Sequence, residues 1–120
     1  MAWRRLADWL KARASTADWP DMPMTLATLS LRFDSAPAKV EALAAAEYAA
    51  LMEWAEAGGF ILALHAQTRA ELTLLCPMGP LAVTARIRVL PLTRAGLVLY
   101  DVREVMPLRV SPAPPARSMH

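Results

Sequence analysis

A chain of 120 residues has room for one domain with one hydrophobic core, which excludes a multidomain architecture. The formal net charge is +2 and the cations are mostly scattered arginines, so the charge pattern argues against a nucleic-acid partner. Because 56% of the residues are hydrophobic, we expect apolar surface to be buried beyond the core, most simply in a homo-oligomer, either a dimer or a dimer of dimers.

The first segment, residues 1–14, has the pattern of a short amphipathic helix. At about 100° per residue, four apolar side chains fall on one side of it and the charged residues lie opposite. These four are Trp3, Leu6, Trp9 and Leu10. The interpretation that we favour is a helix docked on the domain or on a partner. The alternative is a peripheral contact with an anionic membrane through the same four residues.

Residues 24–34 follow a connector and alternate between apolar and polar, as expected of a half-buried strand. The residues that we place on the buried face are Leu29, Leu31 and Phe33. Met24 and Leu26 are out of phase with that set. A bulge near Ala27 would bring both sets onto one face, so we expect one there.

The central element is a helix predicted over 36–58, the longest in the chain. Ser35 is its expected N-cap, Pro37 lies in the first turn, and Gly58 and Gly59 form a good stop. Seven residues form one broad apolar arc on this helix. They are Val40, Leu43, Ala44, Tyr48, Leu51, Trp54 and Ala55.

Glu47 interrupts that arc, because helical geometry places it between Leu43 and Leu51. A carboxylate in this position is paired, has a raised pKa, or lies at the edge of the buried strip. Two interpretations stay open: an edge glutamate bonded to an arginine, or a functional group. Glu53 and Glu56 stand mostly away from the arc.

The segment 60–110 reads mainly as a β-meander. Residues 60–67 fit a strand with Phe60, Leu62 and Leu64 directed inward, but a short continuation of the helix fits almost as well. Glu71–Cys76 is a predicted strand, and 81–90, which shows the cleanest alternation in the chain, is the next.

Antiparallel pairing of those two strands would place Glu71 opposite Arg86 as an exposed ion pair. A last strand is expected over 97–106, with a short edge segment over 108–110. Residues 111–120 are proline-rich and are expected to be a disordered tail.

Several kinds of site are excluded by the sequence. It contains no phosphate-binding glycine loop, no nucleophile elbow and no Cys/His spacing for zinc, so we expect neither a cofactor nor a metal. His65 is most simply an edge histidine. Cys76, the single cysteine, is expected to be a small buried hydrophobe, which favours a reducing cytoplasm. The absence of a signal peptide or a long apolar run points the same way. The carboxylates of the central helix remain as candidates.

Over residues 24–106, a strand, one long alanine-rich helix and further strands resemble the hotdog fold of acyl-thioester hydrolases and dehydratases. There a curled antiparallel sheet wraps a single helix. EWAEAGG and RAELTLLCPMGPLAVTARIRVL are similar to that family's helix end and its next two strands. The His-Gly-Gly lead into the helix is replaced by DSAPAK. The predicted fold is α+β, with the long helix against a sheet of about four to six strands.

The resemblance implies a homodimer that binds or hydrolyses an acyl thioester, of acyl-CoA or acyl-carrier type, at the subunit interface. A helix carboxylate would act as general base or nucleophile. Glu56 corresponds to the family's helix acid, whereas Glu47 is the candidate on physical grounds, because burial raises a carboxyl pKa toward neutrality. The two lie half a turn out of phase and cannot serve one site on one subunit. The alternative is a non-catalytic dimerising module that binds an apolar, lipid-like ligand or a membrane surface.

Overall fold

The computed structural model describes residues 23–106. The elements are β1 Met24–Leu31, α1 Pro37–Glu56, β2 Leu62–His65, β3 Glu71–Cys76, α2 Pro80–Arg88, α3 Pro91–Arg94 and β4 Val98–Val105. Of the two alternatives for residues 60–67, the strand is the one observed. The predictions for the helix at 1–14 with its membrane contact, the segment at 108–110 and the tail at 111–120 lie outside the described residues.

The four strands form an antiparallel sheet in the order β2-β3-β1-β4. Two units, β1-α1-β2 and β3-α2-β4, are interleaved, so that a strand of one unit lies between the two strands of the other. This is the split βαβ, or ferredoxin-like, arrangement. The predicted α+β class is therefore confirmed, as are the long helix and the antiparallel pairing. Within the described residues the sheet is open, with β2 and β4 as its outer strands.

One face of the sheet carries the core that it shares with the helices. The fully buried sheet residues on this first face include Ala27, Leu29, Leu72 and Leu74, and the helices contribute Leu51, Trp54, Val83 and Ile87. Each leucine of this kind stabilises the fold by roughly 2 kcal/mol. The apolar residues of the second face, such as Leu64 and Leu99, are not part of this cluster. The described domain thus has two layers, the helices and the sheet, with the shared core between them.

The segment 81–90, predicted as a strand, is mostly the helix α2. Its buried residues are Val83, Ile87 and Leu90, and its exposed ones include Leu81 and Val89. Spacings of four and three residues place the buried set on one helix face, and Pro80 suits a first helical turn. The predicted β-meander over 60–110 is wrong in this segment. The part of the hotdog resemblance that rested on a strand here loses its support.

The predicted ion pair between Glu71 and Arg86 is also wrong, because β3 pairs with β1 and β2. Glu71 lies opposite Ser30, whose Oγ donates to Glu71 Oε2 at 3.3 Å. Arg86 lies instead over the indole of Trp54, with its guanidinium carbon 5.7 Å from the ring centroid. The arginine thus covers the edge of the core rather than a neighbouring strand.

Two predictions of which side chains face the core are wrong. Phe33 is 101% exposed, because β1 ends at Leu31 and the chain then turns. Leu64 is 56% exposed, since in β2 it is Ala63 that points into the core. The expected bulge near Ala27 is absent, because the pairing of β1 with both neighbours runs without interruption.

Helix α1 begins at Pro37, in its first turn as predicted, but its N-cap is Ala36 rather than Ser35. The Ser35 hydroxyl donates to the carbonyl of Leu97 at 3.1 Å, so it ties the helix entry to the residue before β4 instead. In the part of the chain that the structure describes, no side chain therefore caps the N-terminus of α1. A fixed φ at Pro37 compensates in part, because proline is pre-organised for the first helical turn.

The end of α1 follows the prediction from Gly58 and Gly59. Gly58 has a φ of 82°, the left-handed conformation that glycine adopts without strain. Its N–H donates to the carbonyl of Ala55 at 3.0 Å, and the N–H of Gly59 donates to the carbonyl of Trp54 at 2.9 Å. These two hydrogen bonds form a Schellman motif, which satisfies carbonyls that the helix leaves free.

Helix α2 offers a site for a stabilising change. Its N-cap is Gly79, which has no side chain to bond the free N–H groups, and no atom lies within 4 Å of the position that a Cβ atom would take there. We expect Gly79→Ser to raise the free energy of unfolding by about 0.5 to 1 kcal/mol, through a new cap and a less flexible unfolded chain. Urea denaturation measures this, with Gly79→Ala as the control that lacks the hydroxyl. Equal stability of the two variants would contradict the capping argument.

Candidate functional site

Glu47 lies in the middle of α1, on the face directed at the core, and is 1% exposed. Leu51, one turn further along the helix, is fully buried beside it. The prediction that Glu47 interrupts the apolar arc is confirmed by this position. The same periodicity that brings leucines to the core brings this carboxyl group there, because positions four apart share a helix face.

The carboxyl group is held by the backbone of a different helix. Leu92 N–H donates to Glu47 Oε1 at 2.9 Å, and Leu92 is the second residue of α3. The first residue, Pro91, has no N–H, so the carboxylate takes the first donor that this helix offers. The observed partner is therefore a backbone N–H group and not the arginine of one sequence-based interpretation.

Burial raises the pKa of Glu47 above its ordinary value of 4.5, because the ionised form loses its hydration in the core. The hydrogen bond from Leu92 acts in the opposite direction, since it stabilises the ionised form, but it is the smaller of the two effects. The protonated and ionised forms of this group are thus closer in free energy near neutral pH than those of an exposed glutamate. A group of this kind suits proton transfer.

Three buried polar atoms in this part of the molecule have no hydrogen-bond partner among the described residues. They are Glu47 Oε2, Trp54 Nε1 and Thr93 Oγ1. Trp54 is two turns from Glu47 on the same helix face, and Thr93 directly follows Leu92, so α1 and α3 supply all three. Unpaired polar atoms in a core are costly, which makes Glu47 Oε2, together with Thr93 Oγ1 beside its hydrogen-bond partner Leu92, a candidate for ligand binding.

The indole of Trp54 is fixed from two sides. Phe60 packs against it edge to face, with ring centroids 5.2 Å apart and an interplanar angle of 79°. Arg86 lies over the ring from α2. Both contacts restrict the ring, so the unpartnered Nε1–H has a defined direction. Nε1 faces Gly59, because a Cβ atom on that residue would overlap it.

The first half of α1 is less completely covered than the second. Val40, Leu43 and Ala44 belong to the apolar arc but are only half-buried, whereas Leu51 and Trp54 are buried. Leu43 and Ala44 lie one turn before Glu47. An apolar surface that is half-covered therefore leads along the helix to the buried carboxyl group.

The second candidate catalytic residue, Glu56, lies in the last turn of α1 and is exposed. Glu53 is exposed as well. The structure thus does not bring Glu56 together with Glu47, in agreement with their predicted difference in phase.

His65 and Cys76 are placed as expected. His65 is half-buried on the outer strand β2, with Nδ1 3.1 Å from the carbonyl oxygen of Ala66. Cys76 is fully buried at the end of β3, and burial raises the pKa of its thiol to about 12. The thiol is therefore protonated at neutral pH and is a poor nucleophile. No group of three or more possible metal-ligating side chains occurs within residues 23–106.

Sequence reasoning missed the groups that α3 contributes. The composition of Pro91–Arg94 predicts a turn, although a proline at a first helical position is also a known start signal. The N–H of Leu92 and the hydroxyl of Thr93 carry no signature of their own. Only the approach of α3 to α1 in space makes them part of the site.

Sequence comparisons with known proteins identify no family for this chain, so the functional assignment rests on the contacts described above. In the described part of the chain, no helix has both the length and the apolar character needed to cross a membrane. A scan against models of protein families gives no match, and a search of curated proteins gives no significant match.

Proposed function

We propose that the protein binds an acyl thioester beside Glu47 and hydrolyses it, acting as a homodimer in the cytoplasm. The observation that carries this proposal is a buried carboxyl group, with a raised pKa, whose Oε2 has no hydrogen-bond partner within residues 23–106. The substrate class comes from the hotdog resemblance. The succession of a strand and a long helix over 24–56, observed as β1 and α1, supports the use of that resemblance.

In this mechanism Glu47 acts as general base. The ionised carboxyl group removes a proton from a water molecule as the water oxygen attacks the thioester carbonyl carbon. The carbon–sulfur bond then breaks, and the proton passes from Glu47 to the departing thiolate sulfur. The products are a carboxylic acid and a thiol, and Glu47 returns to its ionised form.

Thr93 supplies a hydrogen-bond donor for such a reaction. Negative charge develops on the carbonyl oxygen in the transition state, and fixed donors in a site of low dielectric constant stabilise it strongly. Thr93 Oγ1 is buried and unpartnered within the described residues, and Thr93 directly follows Leu92, whose N–H donates to Glu47. The N–H of Leu92 meanwhile orients the carboxyl group through Oε1.

The acyl chain would lie along the first half of α1. Val40, Leu43 and Ala44 are apolar and half-buried, and they lead to Glu47. An acyl chain on these residues would remove apolar surface from water, at about 25 cal/mol per Å². This placement predicts a preference for acyl groups of several carbons over acetyl.

An acyl-CoA series with increasing chain length tests the proposal. Glu47→Gln keeps the shape and the acceptor for Leu92 but removes the base, so we expect kcat to fall about 10²- to 10⁴-fold. Glu56→Gln is the matched control on the exposed side of the same helix, and its kcat should stay within about twofold of wild type, because Glu56 is solvated.

Two results would contradict the proposal. Equal activity of the wild type and Glu47→Gln would remove the assigned base. A wild-type protein that turns over no chain length would favour the second candidate, a non-catalytic module that dimerises around an apolar surface. That candidate rests on the second sheet face, where Leu64 and Leu99 are each 56% exposed and Met106, just after β4, is 55% exposed.

A further inference from the structure

Strand β4 is an outer strand with one free side. It pairs along all eight of its residues with β1, and within the described residues nothing pairs with its other side. Arg32 N–H donates to the carbonyl of Leu97, so these two residues form a hydrogen-bonded pair of the antiparallel ladder. Hydrogen-bonded pairs recur at every second residue, so the odd-numbered residues of β4 direct their backbone N–H and C=O groups toward β1. The even-numbered residues Val98, Tyr100, Val102 and Glu104 therefore direct their N–H and C=O groups outward.

The exposed charges on β4 are complementary to those of a second copy of the same strand. Asp101 and Arg103 flank Val102, and their side chains share the second face of the sheet. Both are exposed, and neither forms an ion pair within residues 23–106. Rotation by 180° about an axis through Val102 places Asp101 of one copy opposite Arg103 of the other, and the reverse.

We propose that two copies of the chain join edge to edge through β4, in an antiparallel pairing centred on Val102, to form one continuous sheet of eight strands. Val98 then lies opposite residue 106, so that the pairing uses the full length of the strand. This inference names the surface for the homodimer of the proposed function. It does not depend on catalysis by Glu47.

Other registers of the symmetric β4–β4 pairing are less favourable. Outward-directed groups are available only at even-numbered residues, so the axis must pass through a residue of β4 and not between two residues. An axis through Asp101 places Asp101 opposite its own copy, and an axis through Arg103 does the same for the arginines. Like charges directly opposite each other destabilise a strand pair. Axes through Tyr100 or Glu104 shorten the overlap. The first places Asp101 opposite Leu99 and Arg103 opposite Leu97, and the second places Arg103 opposite Val105 and Glu104 opposite its own copy.

The hydrogen-bonding pattern favours the same register. With Val102 on the axis, the even-numbered residues form the hydrogen-bonded pairs, and Asp101 and Arg103 form a non-hydrogen-bonded pair. Side chains approach most closely in such pairs, with Cβ atoms roughly 4.5 to 5.5 Å apart, which suits an ion pair.

A further attraction arises on the first face of the sheet. There Tyr100 lies opposite Glu104 of the other copy, and Arg88 Nε donates to the Tyr100 hydroxyl at 3.3 Å. The carboxylate of Glu104 would thus approach the guanidinium group of Arg88. Charge complementarity on both faces identifies a second copy of this chain, rather than an unrelated strand, as the partner.

Charge reversal tests the pairing by sedimentation velocity on the 120-residue chain, whose monomer mass is 13.1 kDa. We expect a wild-type mass of about twice the monomer value. Asp101→Arg and Arg103→Asp should each raise the dimer dissociation constant at least about tenfold, because each places like charges opposite each other at two symmetric positions. The double variant Asp101→Arg/Arg103→Asp restores the complementarity and should restore the wild-type constant within about threefold. Lys39→Asp, an exposed reversal on α1, is the control.

A symmetric cross-link gives a second measurement. Hydrogen-bonded residues opposite each other have Cα atoms about 5.5 Å apart, within the range that a disulfide bridges. We expect Val102→Cys to form a covalent dimer in air, whereas Leu64→Cys on the exposed face of β2 should not. A monomeric wild type, single reversals that leave the dissociation constant unchanged, or no rescue in the double variant would overturn the proposal. The thioester assay is read separately, so a failed dimer and a failed catalytic site are distinguishable.

Discussion

Gly59→Ala is expected to lower the free energy of unfolding by about 3 kcal/mol or more, the largest effect that we expect from a single methyl group. A Cβ atom at this position would overlap both Cδ1 and Nε1 of the Trp54 indole. Non-bonded atoms do not approach so closely, so the ring or the backbone must move. Trp54 is 2% exposed and packs against Phe60, which leaves the ring little room.

Chemical denaturation measures this change. An m-value equal to that of the wild type shows that the variant unfolds to the same extent and differs in stability alone. Gly58→Ala is the matched control, because Gly58 has a left-handed backbone but nothing within 4 Å of an added Cβ. It should lose only about 1 to 2 kcal/mol from backbone strain. In a Trp54→Leu background the added cost of Gly59→Ala should largely disappear, because the smaller side chain leaves space. A cost that persists there would show that the contact with the indole is not its cause.

The contribution of Glu47 to the free energy of unfolding should fall as the pH rises above about 4.5. Its folded-state pKa is raised, so the unfolded chain loses this proton at a lower pH than the folded protein does. Stability from this group is therefore complete below the unfolded-state pKa and is lost as the pH rises through the folded-state pKa. Each unit of the shift corresponds to about 1.4 kcal/mol.

The comparison of wild type and Glu47→Gln by urea denaturation from pH 4 to pH 8 isolates this contribution. The other titratable groups are common to both proteins, so they cancel in the difference, and we expect the difference to shift in favour of the variant as the pH rises. Glu56→Gln, in which an exposed carboxyl group of the same helix is removed, is the control. Parallel curves for Glu47→Gln would mean that Glu47 ionises as an exposed glutamate does.

The parts of the fold that local sequence determines were predictable. Helix α1 has a proline at its start, a glycine pair at its end and no internal breaker, and each of these acts within a few residues. The position of Glu47 within the apolar arc followed from helix periodicity, but its full burial did not, because an edge position fitted the same periodicity. Its hydrogen-bond partner did not follow from it either, because Leu92 lies 45 residues further along the chain and enters the site only when α3 reaches α1.

The helix α2 shows why the remainder could not be predicted. In 81–90 the alternation typical of a strand and the spacing typical of a helix are both present, since Val83 and Ile87 satisfy either period. The choice depends on the sheet, in which β2 and β1 already occupy the two sides of β3. No place beside β3 is left for another strand, so the segment crosses the face as a helix. This constraint comes from the tertiary structure, so the sequence of the ten-residue segment does not contain it.

The position of β1 as an inner strand of the sheet also determines when the domain can fold during translation. This strand is made first among the described elements, yet Met24 pairs with Val105, and both of its neighbours come from later parts of the chain. At about 5 to 20 residues per second, the nascent β1 waits several seconds on the ribosome for its last partner. Its apolar side chains are open to chaperones throughout that interval, and contacts so distant in sequence also slow refolding.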